Sequence, residues 1–177
     1  MLLHFITTEL HLHDPAGIYN REEKLLESII TPVRMRQSLE LCQKYKLVCQ
    51  EEKVRALWDT GATGSCISKG LASHLNLSPI DMCIVRGVSG STKSNVYLID
   101  ILLPSNVSIN NVRVSEFLDN GAFEIIVGMD IINFGDFAIS NKDGKTIFSF
   151  RIPPSDNPID FLEQINKENP GHTQDPA

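Results

Sequence analysis

The residues best suited to chemistry lie in Leu57-Trp58-Asp59-Thr60-Gly61-Ala62-Thr63-Gly64-Ser65. An apolar run leads directly into Asp59, and small polar residues come after it. An ionisable group is therefore expected at the end of a strand, beside a sharp turn, where a carboxylate can act as a general acid or base. Asp-Thr-Gly alone also reads as an ordinary turn.

Other constellations are weaker. Gly87-Val88-Ser89-Gly90-Ser91-Thr92-Lys93-Ser94 approaches the phosphate-binding pattern Gly-x-x-x-x-Gly-Lys-Ser, but Thr92 stands where the second glycine is required and the next residues are strand-like. His11-Leu12-His13-Asp14 offers metal-binding side chains with no third or fourth ligand at a recognisable spacing, so surface histidines are the simpler reading. Cys66 lies close to Asp59, yet no histidine motif stands ready to activate it, and it reads as structural. His74 reads as exposed on a helix. Asp130 reads as a helix cap, and Asp81, Asp100, Asp119 and Asp136 as turn or surface residues.

The elements that must position Asp59 are mostly strands. Val54, Ala56, Leu57 and Trp58 form the run that delivers it, and Leu39, Leu41, Leu47 and Val48 form another extended run, the two separated by the polar turn 50–53. Ser68 caps a short helix carrying Leu71, Ala72 and Leu75 on one side. Further strands are expected at 83–88, 96–103, 107–117 and 124–128, and Asp143-Gly144 turns a last hairpin between 134–140 and 146–152. Upstream, Asn20 and Glu23 resemble a helix start, and Leu25, Leu26, Ile29 and Ile30 fall on one helical face before Thr31-Pro32, predicting a helix over about 21–30. The divisions expected are an N-terminal extension with that helix (1–44), a main domain (45–152) and a polar, proline-spotted mobile tail (153–177).

Two further elements give Asp59 a context. Ile125-Ile126-Val127-Gly128 is a late hydrophobic-hydrophobic-Gly run, and Gly87 to Gly90 form a glycine-bearing hairpin tip between it and Asp59. In that order, these elements resemble the retropepsin-like (retroviral-type) aspartic peptidases over residues 46–152. The resemblance implies an all-β, closed-barrel acid-protease fold with one short helix after the catalytic loop. It implies that Asp59 is the catalytic acid and base, that Thr60 reaches across a dimer axis, that Gly61 allows the turn and that Ala62 floors the substrate groove. Gly87, Val88, Ser89 and Gly90 correspond to the flap, and Ile126, Val127 and Gly128 to the strand backing the loop. The chain departs from the family in Trp58, where an aliphatic residue is usual, and in a flap with fewer glycines.

Carboxylate-driven peptide hydrolysis needs two carboxyl groups facing one water, one taking its proton while the other protonates the carbonyl. Two charges about 3 Å apart repel by roughly 5 kcal/mol at an effective dielectric of 20, about four pKa units, so such a pair holds one proton, as in known aspartic proteases. With a single Asp-Thr-Gly in the chain, the resemblance implies that the second carboxylate is Asp59 of another copy. The expected activity is endopeptidase hydrolysis of an extended polypeptide by a homodimer, without metal or cofactor. The alternative is a catalytically weak or inactive dimerisation or peptide-binding module of the same fold.

The net charge of −6 over 177 residues and the absence of a Lys/Arg run give no reason to expect nucleic-acid binding. No segment approaches the roughly 18 apolar residues of a membrane span, so no membrane partner is expected. Four scattered cysteines without a Cys-x-x-Cys pair read as free thiols, and the expected location is cytoplasmic.

Overall fold

The computed structural model describes residues 9–11, 16–87, 90–104, 107–119 and 121–168. In chain order the strands are β1 (Glu9–His11), β2 (Ala16–Glu22), β3 (Ile30–Gln37), β4 (Glu51–Trp58), β5 (Cys66–Ser68), β6 (Asp81–Gly87), β7 (Gly90–Leu103), β8 (Val107–Phe117), β9 (Ile125–Val127), β10 (Asp136–Lys142) and β11 (Lys145–Ile152). The helices are α1 (Leu39–Tyr45), α2 (Lys69–His74), α3 (Met129–Ile132) and α4 (Phe161–Glu168).

Strands β8, β5, β9, β4, β3 and β7 pair in sequence, and β7 pairs back to β8, so six strands close a barrel. This is the mostly β, closed-barrel architecture expected, with α2 directly after β5. β1 adds to β8, and β6 continues β7 as a hairpin outside the ring. The interior is aliphatic: Ile67, Ile99, Ile101, Ile109, Val114, Ile125 and Val127 are fully buried. On β4 and β9 buried residues alternate with less buried ones, the pattern of one-sided burial, whereas residues 96–101 of β7 are buried on both faces.

The helix expected over 21–30 is not formed. Residues 16–22 pair with β11, and Ile30 already opens β3 between β4 and β7. The period that prevails is two: Thr31, Val33, Met35 and Gln37 are buried and alternate with less buried neighbours. An isolated helix of ten residues nucleates poorly, whereas these side chains fill the barrel. The barrel therefore draws one of its six strands from the segment upstream of residue 45.

The extended run expected from Leu39 is also corrected, because Leu39–Tyr45 form helix α1, with the Ser38 hydroxyl accepting from Leu41 N–H. Asp100, expected at a turn or the surface, is buried at an irregularity in the β7–β8 ladder. Its carboxylate accepts from Arg36 Nε, Leu39 N and Asn111 N at 3.0–3.1 Å, which fixes α1 to the barrel.

The Ser68 cap, α2 and the last hairpin form as expected, with Asp143 and Gly144 both at positive φ (54° and 73°), as a two-residue hairpin turn requires. That hairpin and β2 make a separate three-stranded sheet. Trp58 joins this sheet to the barrel. Its ring packs against Phe137, Phe148 and Phe150, with centroids 4.8–6.1 Å apart, and its indole N–H donates to Thr31 Oγ1 at 2.9 Å. The unusual residue before Asp59 thus anchors the strand end in an aromatic cluster. Within the expected tail, α4 forms with no buried side chain.

Candidate active site

The loop after β4 is held by β9, which lies between β4 (parallel) and β5 (antiparallel). Asp59 N–H donates to Val127 O at 3.0 Å, continuing the β4–β9 pairing one residue beyond the strand. Gly61 N–H turns back to donate to Asp59 Oδ1 at 2.8 Å, and Ala62 N–H donates to Asp59 O at 3.2 Å. Asp59 Oδ2 accepts no hydrogen bond from the described residues. Asp59 is half-buried, while Thr60 and Gly61 are exposed, and the Thr60 hydroxyl makes no hydrogen bond among the described residues.

Gly128 fits closely behind this loop. Ala62 O accepts from Met129 N–H at 2.8 Å, and Gly128 N–H donates to Ser65 Oγ at 3.1 Å. A Cβ at Gly128 would lie 2.7 Å from the Gly64 carbonyl carbon and 2.9 Å from Ala62 O, both backbone atoms that cannot swing aside. Gly128→Ala is therefore expected to lower the melting temperature by about 5–10 °C, a cost of about 2–3 kcal/mol, measured by calorimetry. An unchanged melting temperature would show that the loop relaxes freely.

Two residues missed in the sequence complete the lock. Ser65, almost fully buried, donates from its backbone to Asp130 Oδ2 at 3.0 Å and from its hydroxyl to Asp130 Oδ1 at 2.8 Å. Asp130 was expected to cap the helical turn; instead Gly128 is the N-cap residue of α3, and the carboxylate reaches 65 positions back along the chain. Only the carboxylate's position two residues past Gly128 hinted at this. Outside the barrel, Glu124 clamps the same strands. It accepts from Arg55 N, Nε and Nη2, and this guanidinium holds its carboxyl below the usual carboxylate range.

Leu57, Ile126, Cys66 and Ser115 sit in register across β4, β9, β5 and β8, all half-buried. The Cys66 thiol is pushed up, first by burial, against the pull of its Ser115 hydrogen bond. The Asp130, Cys83 and Asp59 charges push the same way as burial. It is therefore held as the thiol, which agrees with a structural role.

Gly87 and Gly90 pair across the base of the hairpin tip, Gly90 with φ 121°, while Val88 and Ser89 lie outside the described residues. Gly90 opens strand β7 rather than a helix, which removes the phosphate-loop reading. Leu12, His13 and Asp14 also lie outside the described residues, and no group of three or more metal-ligating side chains gathers among those described. His74 is exposed and lies 3.6 Å from Glu52. Asp81 pairs with Arg113, Asp119 accepts from Gly70 N–H and Asp136 from Ser155 N–H, as turn and surface roles require. No helix among the described residues is long and apolar enough to cross a membrane.

A closed barrel with an Asp-Thr-Gly loop pinned to a hydrophobic-hydrophobic-Gly strand defines the class as acid-protease-like. Residues 46–133 match the family model described as "gag-polyprotein putative aspartyl protease". The chain belongs to the retropepsin-like aspartic peptidases. Among solved structures, it is similar to a retropepsin-like aspartic protease from Rickettsia conorii, with 13% identity over 85% of this chain and 99% of that one and a TM-score of 0.45. It is also similar to the Simian Foamy Virus (mac) protease, with 16% identity over 59% of this chain and 93% of that one and a TM-score of 0.37. No curated protein matches the sequence.

Proposed function

We propose that this chain is an endopeptidase whose active centre forms when two copies place their Asp59 carboxylates around one water. The observation that carries the proposal is the loop itself. Backbone hydrogen bonds hold Asp59 at a strand end with Oδ2 unengaged by the described residues, beside an exposed Thr60 whose hydroxyl has no partner among them. One Asp59, ionised, takes a proton from the water as it attacks the peptide carbonyl, and the partner's Asp59, protonated, gives its proton to the carbonyl oxygen. The gem-diol then breaks its C–N bond while the first carboxyl gives its proton to the nitrogen and the partner's carboxylate takes one from a gem-diol hydroxyl, leaving an amine and a carboxylic acid and restoring the pair's single proton. No covalent intermediate, metal or cofactor is required.

Thr60 braces the two loops, Ala62 floors the groove and the hairpin tip 87–90 closes over a substrate held as an extended strand. The half-buried row Leu57, Ile126 and Cys66 provides apolar contact area beside the carboxylates. The function is tested by incubating the chain with an unfolded protein at mildly acidic and neutral pH and reading intact masses. Fragments from wild type support it, whereas a stoichiometric complex with uncleaved peptide would favour a peptide-binding module instead.

Thr60→Ala is expected to weaken the dimer about tenfold, the loss of about one shared hydrogen bond per loop, and to lower activity most at low protein concentration. Sedimentation equilibrium reads the first effect. An unchanged association constant would remove Thr60 from the interface.

A further inference from the structure

Cys42 and Cys49 lie away from the candidate active site. Cys42 is buried on α1, and Cys49 is half-buried in the connection from α1 to β4. Both thiols are free and both point at one acceptor, the Gln37 carbonyl oxygen, Cys49 Sγ at 3.1 Å and Cys42 Sγ at 3.9 Å. Through that shared acceptor the two side chains are neighbours, and the Cys49 thiol helps push the Cys42 thiol up. The local fold produces this approach. Lys46 adopts a left-handed conformation (φ 54°) at the end of α1, and Leu47 N–H returns to Cys42 O at 2.9 Å, which folds residues 47–49 back over the helix end. By contrast, Cys66 bonds to Gly64 O and Ser115 Oγ rather than to another cysteine.

We propose that Cys42 and Cys49 are a thiol pair that forms a reversible disulfide by exchange with a small-molecule disulfide of the glutathione type. Sulfurs that share one acceptor can reach a bond of about 2.05 Å by side-chain rotation and a loop shift. Cys49, the more accessible thiol, loses its proton and attacks one sulfur of the oxidant. The S–S bond breaks, one small thiolate leaves and takes up a proton, and Cys49 carries the other half as a mixed disulfide. Cys42 then loses its proton and attacks Cys49 Sγ, expelling the second small thiolate, which is protonated in turn. The protein gives up two electrons and two protons, and the oxidant becomes two thiols.

The order of attack is set by environment. The Cys42 thiol is pushed up to about 12, first by burial, then by the neighbouring Cys49 and further by Asp100, against the pull of Arg36, so it is a poor first attacker. Once Cys49 is in a mixed disulfide, its share of that shift is gone. The bond would sit at the opposite end of β4 from Asp59 and close a short loop. Its expected signature is therefore stability rather than turnover, and its test does not depend on the peptidase reading.

The test treats the folded full chain with excess oxidised glutathione at neutral pH, alkylates remaining thiols and digests with trypsin, which cuts after Lys44 and Lys46. The expected result is that fragments 37–44 and 47–53 are joined until reduced, and that the oxidised chain melts about 5 °C higher than the reduced one. Cys49→Ser should abolish the joined fragment. Glutathione retained on Cys49 with Cys42 still alkylated, or both thiols alkylated after oxidation, would overturn the proposal, and the wild-type map alone decides this.

Discussion

Asp59→Asn is expected to abolish peptide hydrolysis, lowering kcat/KM by about a thousandfold or more, while the melting temperature stays within about 2 °C of wild type. The contacts that position residue 59 survive the change. Its backbone N–H still meets Val127 O, and an amide oxygen can still accept from Gly61 N–H, now 2.8 Å from Oδ1. The ability to take a proton from water and return it disappears. Fragments produced at the wild-type rate by a folded Asp59→Asn chain would remove Asp59 from the chemistry and point to a contaminating peptidase.

Asp130→Ala is expected to lower both stability, by about 1–3 kcal/mol, and kcat/KM, by about 10- to 100-fold. Ser65 is 2% exposed, and its N–H and hydroxyl both depend on this carboxylate. The Ser65 hydroxyl in turn accepts from Gly128 N–H, so losing Asp130 loosens both segments that hold the Asp59 loop. The carboxylate is itself exposed, so water can replace part of its role, which keeps the stability loss moderate. Asp130→Asn keeps one acceptor and should recover part of both losses. Urea denaturation and peptide kinetics measure them. If Asp130→Ala keeps full activity, the Ser65–Asp130 lock does not position the loop.

The candidate site was legible wherever its signal was local in sequence. The apolar run into Asp59, the glycine turn and the run ending in Gly128 each carry their own spacing, and so do the Ser68 cap and the Asp143-Gly144 turn. The illegible parts depend on distant partners. Leu25 to Ile30 has a helical stripe, but pairing of β3 with both β4 and β7 imposes a period of two from Thr31 onward. Leu39 and Leu41 read as strand because the Ser38 cap matters only once Asp100 and Asn111 are brought beside it from β7 and β8; Ser38 Oγ donates to Asn111 Oδ1 at 2.5 Å. Asp100 and Asp130 looked like surface or capping residues because Arg36, Leu39 and Ser65, which they bind, lie 61–65 positions away. Trp58 seemed a departure from the family, and only the three-stranded sheet explains it: Phe137, Phe148 and Phe150 need a large apolar partner from β4.

A mixing experiment tests the shared active centre most directly. Wild type is equilibrated with an equal amount of Asp59→Asn chain at fixed total concentration, with time for subunit exchange, and the initial rate of peptide cleavage is measured. If each centre needs an intact Asp59 from both copies, only wild-type pairs cut, and the rate falls to about a quarter of that of wild type alone. A rate of about half would mean that each chain carries a complete centre of its own, and would contradict the account.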